Sequence, residues 1–129
     1  MTPLGYAAGE LDGIGSPSLP ADENMRKLAV NAVKECAPEV KVFEGRICTG
    51  DQFISSDEQK KSITDKFGGL CCEMEGVAIA QICYQNGIPF VIIRAISDKA
   101  DGSAEMSYTE FEHEAAIRCA AITRYMISH

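Results

Sequence analysis

Three polar clusters in the sequence could do chemistry, and each follows an apolar segment. They are residues 50–54 (GDQFI), residues 72–76 (CEMEG) and residues 94–98 (RAISD). In parallel α/β proteins, binding and catalytic sites form at the carboxyl ends of the strands. Each cluster is therefore a candidate site.

Asp98 is the sharpest candidate for acid–base chemistry, because it directly follows a hydrophobic strand-like run. Partial burial there disfavours the ionised carboxylate, so we expect its pKa to lie above the ordinary aspartate value. A carboxylic acid held in this way can donate a proton to a leaving group. Asp98 could equally cap the following turn, where Asp101 and Gly102 lie nearby. Spacing alone leaves both interpretations open.

The remaining polar positions also have two interpretations each. Glu73 and Glu75 could accept hydrogen bonds from sugar hydroxyls, or they could complement the dipole of a following helix. Arg94 interrupts an apolar run, so it pairs with a carboxylate, faces a polar site or extends to solvent along an edge. Phe53 and Ile54 could stack on a flat base or belong to the core. Taken alone, these signals predict an α/β domain with a polar site.

The charge of the chain indicates which partners it binds. The net charge is −7 and the isoelectric point is about 4.8, so no basic stripe exists to neutralise phosphates. This argues against nucleic acid and acidic membranes. The longest apolar stretch is far below the roughly 20 residues that a membrane helix needs. The sequence thus predicts a soluble, cytoplasmic protein that binds a small molecule or another protein.

The cysteine pattern favours free thiols over a disulfide framework or a metal site. Four of the six cysteines lie inside apolar runs, no C-x-x-C motif occurs and no secretory leader precedes them. We therefore expect buried free thiols in a reducing cytosol. A zinc site with His113 or His129 is the alternative. No metal or organic cofactor is predicted.

Periodicity and turn residues predict that helices and strands alternate along the chain. A Gly- and Pro-rich, irregular lead-in covers residues 1–21. The predicted helices cover residues 22–37, 57–67, 75–86 and 107–126, and the predicted strands cover residues 40–48, 70–72 and 90–96. Ser55 and Glu58 are expected to form a capping box at the start of the second helix. The continuous apolar run at 90–96 is typical of a central parallel strand covered on both faces. The pattern predicts an α/β fold with a mostly parallel sheet, in a single domain over residues 1–129.

Two of the acidic motifs together resemble the nucleoside phosphorylase and hydrolase superfamily. They are residues 73–76 (EMEG) and residues 94–101 (RAISDKAD), and residues 50–54, 87–91 (GIPFV) and 106–111 (MSYTEF) support them in the same order. The fuller match is to the 5′-methylthioadenosine/S-adenosylhomocysteine nucleosidase family, which the R-A-I-S-D-x-A-D form resembles more than it does the phosphorylases. The resemblance implies a three-layer fold with a mostly parallel central sheet.

The resemblance also implies a set of catalytic residues. Asp98 would be the general acid that protonates N7 of adenine as the glycosidic bond breaks, and Ser97 would help to orient it. Arg94 would lie near the attacking water. The transition state resembles a ribosyl oxocarbenium ion, so carboxylates near the sugar would stabilise its developing positive charge.

The same resemblance assigns substrate-binding residues. Phe53 would stack on adenine, and the backbone at Ile54 would hydrogen-bond the edge of the base. Glu75 would bind the ribose hydroxyls, with Met74 packed under the sugar and Glu73 close by. Tyr108 occupies the position of an aromatic residue that lines the 5′-alkylthio pocket.

The beginning of the chain departs from the family pattern. Met1 and Leu4 lie in a segment that resembles the one reaching into the neighbouring subunit's pocket, which implies a homodimer. Leu4 stands where an aromatic residue is common, and Asp12 stands where an apolar one is.

The glycine-containing first strand with its water-activating glutamate, and a Gly/Ser loop near the ribose, have no counterpart in this sequence. We therefore expect a fold that lacks its N-terminal strands, and a chain that is inactive unless that half is supplied in trans. The alternatives are a purine nucleoside phosphorylase, a futalosine hydrolase, and a non-catalytic fragment that binds adenine nucleosides or serves in dimerisation.

Overall fold

The computed structural model describes residues 6–96 and 108–129, with the side chain of Tyr108 left out. Within these ranges the chain forms four helices and two strands. In chain order they are α1 (Glu23–Cys36), β1 (Arg46–Thr49), α2 (Asp57–Phe67), β2 (Gly69–Glu73), α3 (Gly76–Gln85) and α4 (Tyr108–Ser128). Residues 6–22 form turns and irregular backbone. None of the helices in the described residues combines the length and the hydropathy that a membrane span requires.

Helix α1 forms as its sequence predicts. The Asp22 carboxylate caps it by accepting a hydrogen bond from the Met25 amide at 2.8 Å. The helix ends at Cys36, shortly before Pro38. Its buried face of small side chains packs on α4, where Ala32, Val33 and Ala37 form an apolar cluster with Ile122.

Helix α2 has the predicted bounds, but its capping box lies one residue later than expected. The sequence predicts the pair Ser55 and Glu58, whereas Ser56 and Gln59 form the box, with the Gln59 amide donating to Ser56 Oγ at 3.2 Å. Both pairs have the spacing that the motif requires, so spacing alone could not decide between them. Gly68 ends the helix in the left-handed conformation, at φ 64°.

The sheet of the described residues consists of β1 and β2, which pair in parallel. The predicted strand over 40–48 is too long at its beginning, because β1 covers only Arg46–Thr49. Its neighbour β2 begins at Gly69, directly after α2, so pairing cannot extend back beyond Arg46. Residues 40–45 therefore pair with no strand in the described structure, and Phe43 is 77% exposed. The predicted strand at 70–72 is confirmed as β2.

The prediction of a covered central strand at residues 90–96 is wrong for the described residues. This segment has no assigned strand and pairs with neither β1 nor β2. A backbone hydrogen bond connects this segment to the start of α1: the Asp22 amide donates to the Phe90 carbonyl at 2.8 Å. Phe90 is buried, whereas Ile93 and Ile96 are 38% and 53% exposed. The α/β class itself is confirmed by the parallel pair and its surrounding helices.

The cysteines carry free thiols, although not all of them are buried. Cys36 and Cys72 are exposed, and the other four are partly buried. Burial raises the pKa of the Cys48 and Cys71 thiols, and the neighbouring Cys72 thiol adds to both shifts. The expectation of six buried thiols is therefore wrong for Cys36 and Cys72.

Candidate active site

The polar clusters at residues 50–54 and 72–76 meet where β1 and β2 end. Thr49 and Glu73 are the last residues of the two strands and lie opposite each other in the register. The Thr49 hydroxyl donates a hydrogen bond to Glu73 Oε1. The Gly50 amide donates to the Glu73 carbonyl at 3.1 Å, which extends the pairing by one residue. The strand ends are thus fixed relative to each other.

Glu73 turns its carboxylate inward, onto the beginning of α3. Its side chain is 1% exposed, and its Oε2 accepts hydrogen bonds from the amides of Glu75 at 2.9 Å and Gly76 at 2.6 Å. These amides belong to the N-cap and the first residue of the helix, where amides otherwise lack acceptors. The buried carboxylate therefore serves as the anchor of the α3 N-terminus.

The pKa of Glu73 lies below its ordinary value, although burial alone raises it. The hydroxyl of Thr49 and the amides of Glu75 and Gly76 lower it by donating to the charged form, and the nearby Arg94 guanidinium adds to this effect. Donors surround the carboxylate on both oxygens. Glu73 is therefore ionised at neutral pH and has no proton to donate as a general acid.

Thr49 is a site residue that sequence reasoning missed. Besides donating to Glu73, its Oγ1 accepts a hydrogen bond from the Val77 amide at 3.0 Å. The sequence feature that could have indicated this role is a hydroxyl residue at the end of a strand, directly before Gly50.

Arg94 and Glu75 form the solvent-facing part of the cluster. Arg94 Nη1 lies 3.7 Å from Glu75 Oε2 and 4.0 Å from Glu73 Oε2. The Arg94 side chain is 42% exposed and that of Glu75 is 68% exposed, so the pair is weak, on the order of 1 kcal/mol or less. Glu75 is the N-cap residue of α3, but its side chain makes no capping bond. Its carboxylate can therefore exchange Arg94 for a ligand at little cost.

A pocket of about 280 Å³ lies in front of this cluster. Its lining combines charged and branched aliphatic side chains, as the lining of small-molecule sites does. The charged residues are Glu73, Glu75 and Arg94, and Gly76, Ile79, Val91, Ile92 and Ile93 complete the lining. The structure thus brings together three of the predicted site residues, Glu73, Glu75 and Arg94.

Other predicted site residues lie apart from this pocket or outside the described residues. Phe53, which is 74% exposed, and the partly buried Ile54 lie in the loop between β1 and α2. Met74 is 46% exposed and does not line the pocket as the described residues define it. Met1, Leu4, Ser97, Asp98 and the side chain of Tyr108 are outside the described part of the chain.

Comparison with known proteins identifies the family. A model of the phosphorylase superfamily matches residues 4–128. A 5′-methylthioadenosine/S-adenosylhomocysteine nucleosidase of Exiguobacterium sp. is 40% identical over 121 residues, which cover 93% of this chain and 51% of that protein. The chain spans about half the length of the curated relatives it matches.

Two solved structures show the same similarity in three dimensions. The 5′-methylthioadenosine/S-adenosyl homocysteine nucleosidase of Campylobacter jejuni matches with a TM-score of 0.80 and 34% identity, covering 98% of this chain and 52% of that one. The futalosine hydrolase of Helicobacter pylori strain 26695 matches with a TM-score of 0.75 and 30% identity, covering 92% of this chain and 50% of that one. The resemblance seen in the motifs is confirmed: this chain belongs to the phosphorylase superfamily.

Proposed function

We propose that this chain supplies the adenine- and ribose-binding part of a nucleosidase that hydrolyses 5′-methylthioadenosine and S-adenosylhomocysteine. The observation that carries the proposal is the placement of the Glu75 carboxylate, exposed beside Arg94 at the rim of a half-apolar pocket. The name of the Exiguobacterium relative supports the choice of substrate. We also propose that residues 1–129 belong to one domain.

Glu75 is suited to bind the vicinal hydroxyls of a ribose. An ionised carboxylate accepts hydrogen bonds from two hydroxyl groups at once, and such charge-assisted bonds are stronger than neutral ones. Its negative charge next to the sugar also stabilises the positive charge that develops on the ribosyl ring as the glycosidic bond breaks. Arg94, which pairs with Glu75 in the structure, then turns toward the incoming water.

Asp98 is the general acid of the proposed reaction. It donates a proton to N7 of the adenine while the bond from C1′ to N9 breaks and its electron pair leaves with the base. Water adds to C1′ and gives up a proton to the solvent, from which Asp98 regains the one it donated, so the products are adenine and a free 5′-substituted ribose. Ser97 orients Asp98, Phe53 stacks on the base, and the Ile54 backbone bonds its edge.

The remaining contacts belong to the sugar, the 5′ substituent and a second subunit. Met74 packs under the ribose, and Tyr108 contacts the alkylthio group. Met1 and Leu4 extend into the pocket of the partner in a cytoplasmic homodimer.

Adenine release tests the proposal. The full-length gene product that contains this chain is incubated with 5′-methylthioadenosine in phosphate-free buffer, and adenine is quantified by chromatography. Replacing Glu75 with Gln removes a charged acceptor and should lower kcat/KM about 10- to 100-fold, since bonds to charged groups contribute about 1.5–3 kcal/mol. Glu23→Gln, on the surface of α1, is the matched control and should retain full activity. No adenine release by the unmodified protein, or full activity of Glu75→Gln, contradicts the proposal.

A futalosine hydrolase is the second candidate, favoured by the similarity to the Helicobacter pylori enzyme. Comparing kcat/KM for futalosine and 5′-methylthioadenosine separates the two activities. A purine nucleoside phosphorylase would need phosphate for turnover, so the same assay with and without phosphate separates it from both hydrolases.

A further inference from the structure

The hydrogen bonds of Thr49 connect three pieces of the fold at a single oxygen atom. The hydroxyl donates to Glu73 Oε1 at the end of β2. The same oxygen accepts from the Val77 amide in the first turn of α3. A hydroxyl has one donor and two acceptor positions, so Thr49 uses its only hydrogen on the carboxylate and a lone pair on the helix. Thr49 itself ends β1.

We infer that Thr49 is a positioning residue that fixes the orientation of the ribose-binding carboxylate of Glu75. The inference rests on the proposed function, since it concerns the binding of the sugar. Thr49 does not touch the pocket as the described residues define it. It acts through Glu73 and through the backbone of α3.

The turn between β2 and α3 is held by bonds that converge on Glu73. Its Oε2 accepts from the amides of Glu75 and Gly76, while its Oε1 accepts from Thr49. Without the hydroxyl, Oε1 loses its donor in a nearly dry environment, and the carboxylate is free to rotate. Rotation would loosen both amide bonds, and the Val77 amide loses its acceptor together with the hydroxyl.

Glu75 depends on this turn because little else holds it. Its side chain is 68% exposed, makes no capping bond and forms an ion pair with Arg94. The position from which its carboxylate reaches a ribose is therefore set by the backbone of residues 73–77. Since hydrogen bonds to two vicinal hydroxyls tolerate only small displacements, a loosened turn weakens binding of the ribose. Binding of the base alone does not involve Glu75.

The test compares two ligands, so that a positioning role gives a different result from a structural one. Dissociation constants for adenine and for a non-hydrolysable C-nucleoside analogue of adenosine are measured by calorimetry on the full-length gene product. Thr49→Val keeps the shape of the side chain and removes the hydroxyl. We expect it to weaken nucleoside binding about 10-fold, the equivalent of about 1.4 kcal/mol, and to change adenine binding less than about 2-fold.

Two control variants complete the experiment. Thr49→Ser restores the hydroxyl and should recover nucleoside affinity to within about 2-fold of the unmodified protein. Thr64→Val makes the same substitution on α2, where the hydroxyl bonds only the Lys60 carbonyl of its own helix, and should change neither affinity. If Thr49→Val does not fold, Thr49→Ala is measured in its place.

Several results would overturn the inference. They are an equal loss of both affinities in Thr49→Val, no loss of either, failure of both hydroxyl-free variants to fold, or loss of nucleoside affinity in Thr49→Ser. A proposed function that is itself wrong gives a different result, because the unmodified protein then binds the nucleoside no better than adenine.

Discussion

Replacing Glu73 with Gln should destabilise the fold, because the carboxylate is buried and bonded at both oxygens. Its donors are the Thr49 hydroxyl and the amides of Glu75 and Gly76. A glutamine has nearly the same shape but no charge, and its NH₂ group would face the Thr49 hydroxyl. A bond to a charged group contributes about 1.5–3 kcal/mol and a neutral one about 0.5–1.5 kcal/mol. Three bonds that lose charge assistance give an expected loss of about 3 kcal/mol.

The assay is urea unfolding at neutral pH, followed by circular dichroism. The free energy of unfolding should fall while the slope with urea stays constant, since the surface exposed on unfolding does not change. Glu75→Gln is the matched control. Its side chain is 68% exposed, so its stability should stay within about 0.5 kcal/mol of the unmodified protein.

The pH dependence of this loss gives a second test. The pKa of Glu73 is lowered in the folded protein, so its contribution is fully present above the unfolded glutamate pKa of about 4.3. It disappears as the pH falls through the lowered folded value. The stability difference between the unmodified protein and Glu73→Gln should therefore shrink in acid. A difference below about 0.5 kcal/mol at neutral pH, or one that does not change in acid, refutes the role assigned to the carboxylate.

Three further variants test other parts of the molecule. Gly76→Ala should lower the free energy of unfolding by about 1–3 kcal/mol, because its Cβ would lie 2.8 Å from Glu73 Oε1. Gly50→Ala, whose Cβ meets open space, is the control and should have little effect. Equal stability of the two variants would contradict the packing argument. Asp22→Ala removes the N-cap of α1 and should cost about 1 kcal/mol, which a thermal melt detects; an unchanged midpoint would show that the cap contributes nothing. Asp98→Asn in the full-length gene product should reduce adenine release at least about 100-fold with an unchanged circular dichroism spectrum, and retained release would rule out Asp98 as the acid.

The helices could be predicted from sequence because their signals are local. Asp22 caps α1 and Pro38 follows its end, and both facts depend on a few neighbouring residues. The capping box of α2 shows the limit of such signals. Ser55 and Ser56 both have a suitable partner three residues later, and only the path of the backbone selects Ser56.

The strands were harder to predict because a strand depends on its neighbour. The apolar character of residues 40–48 and 90–96 predicts that these segments can pair, but not that a partner lies beside them. In the structure, β2 offers pairing only from Arg46 onward, and residues 90–96 have no ladder among the described residues. Thr49 was missed for a similar reason, since its two hydrogen bonds join segments 24 and 28 residues away.

Glu73 and Glu75 show how the fold separates two functions that the sequence left ambiguous. Both carboxylates flank the same strand-to-helix turn, yet one is 1% exposed and the other 68% exposed. Glu73 ends β2, and its carboxylate lies at the N-terminus of the helix, where four donors converge on it and on Thr49. Glu75 lies two residues later, and its side chain extends into the solvent. Because burial and satisfied hydrogen bonds hold Glu73, changes there affect stability first. Because solvent and one weak ion pair surround Glu75, changes there affect ligand binding first. The two residues can thus be varied separately, which allows anchoring and recognition to be measured in the same protein.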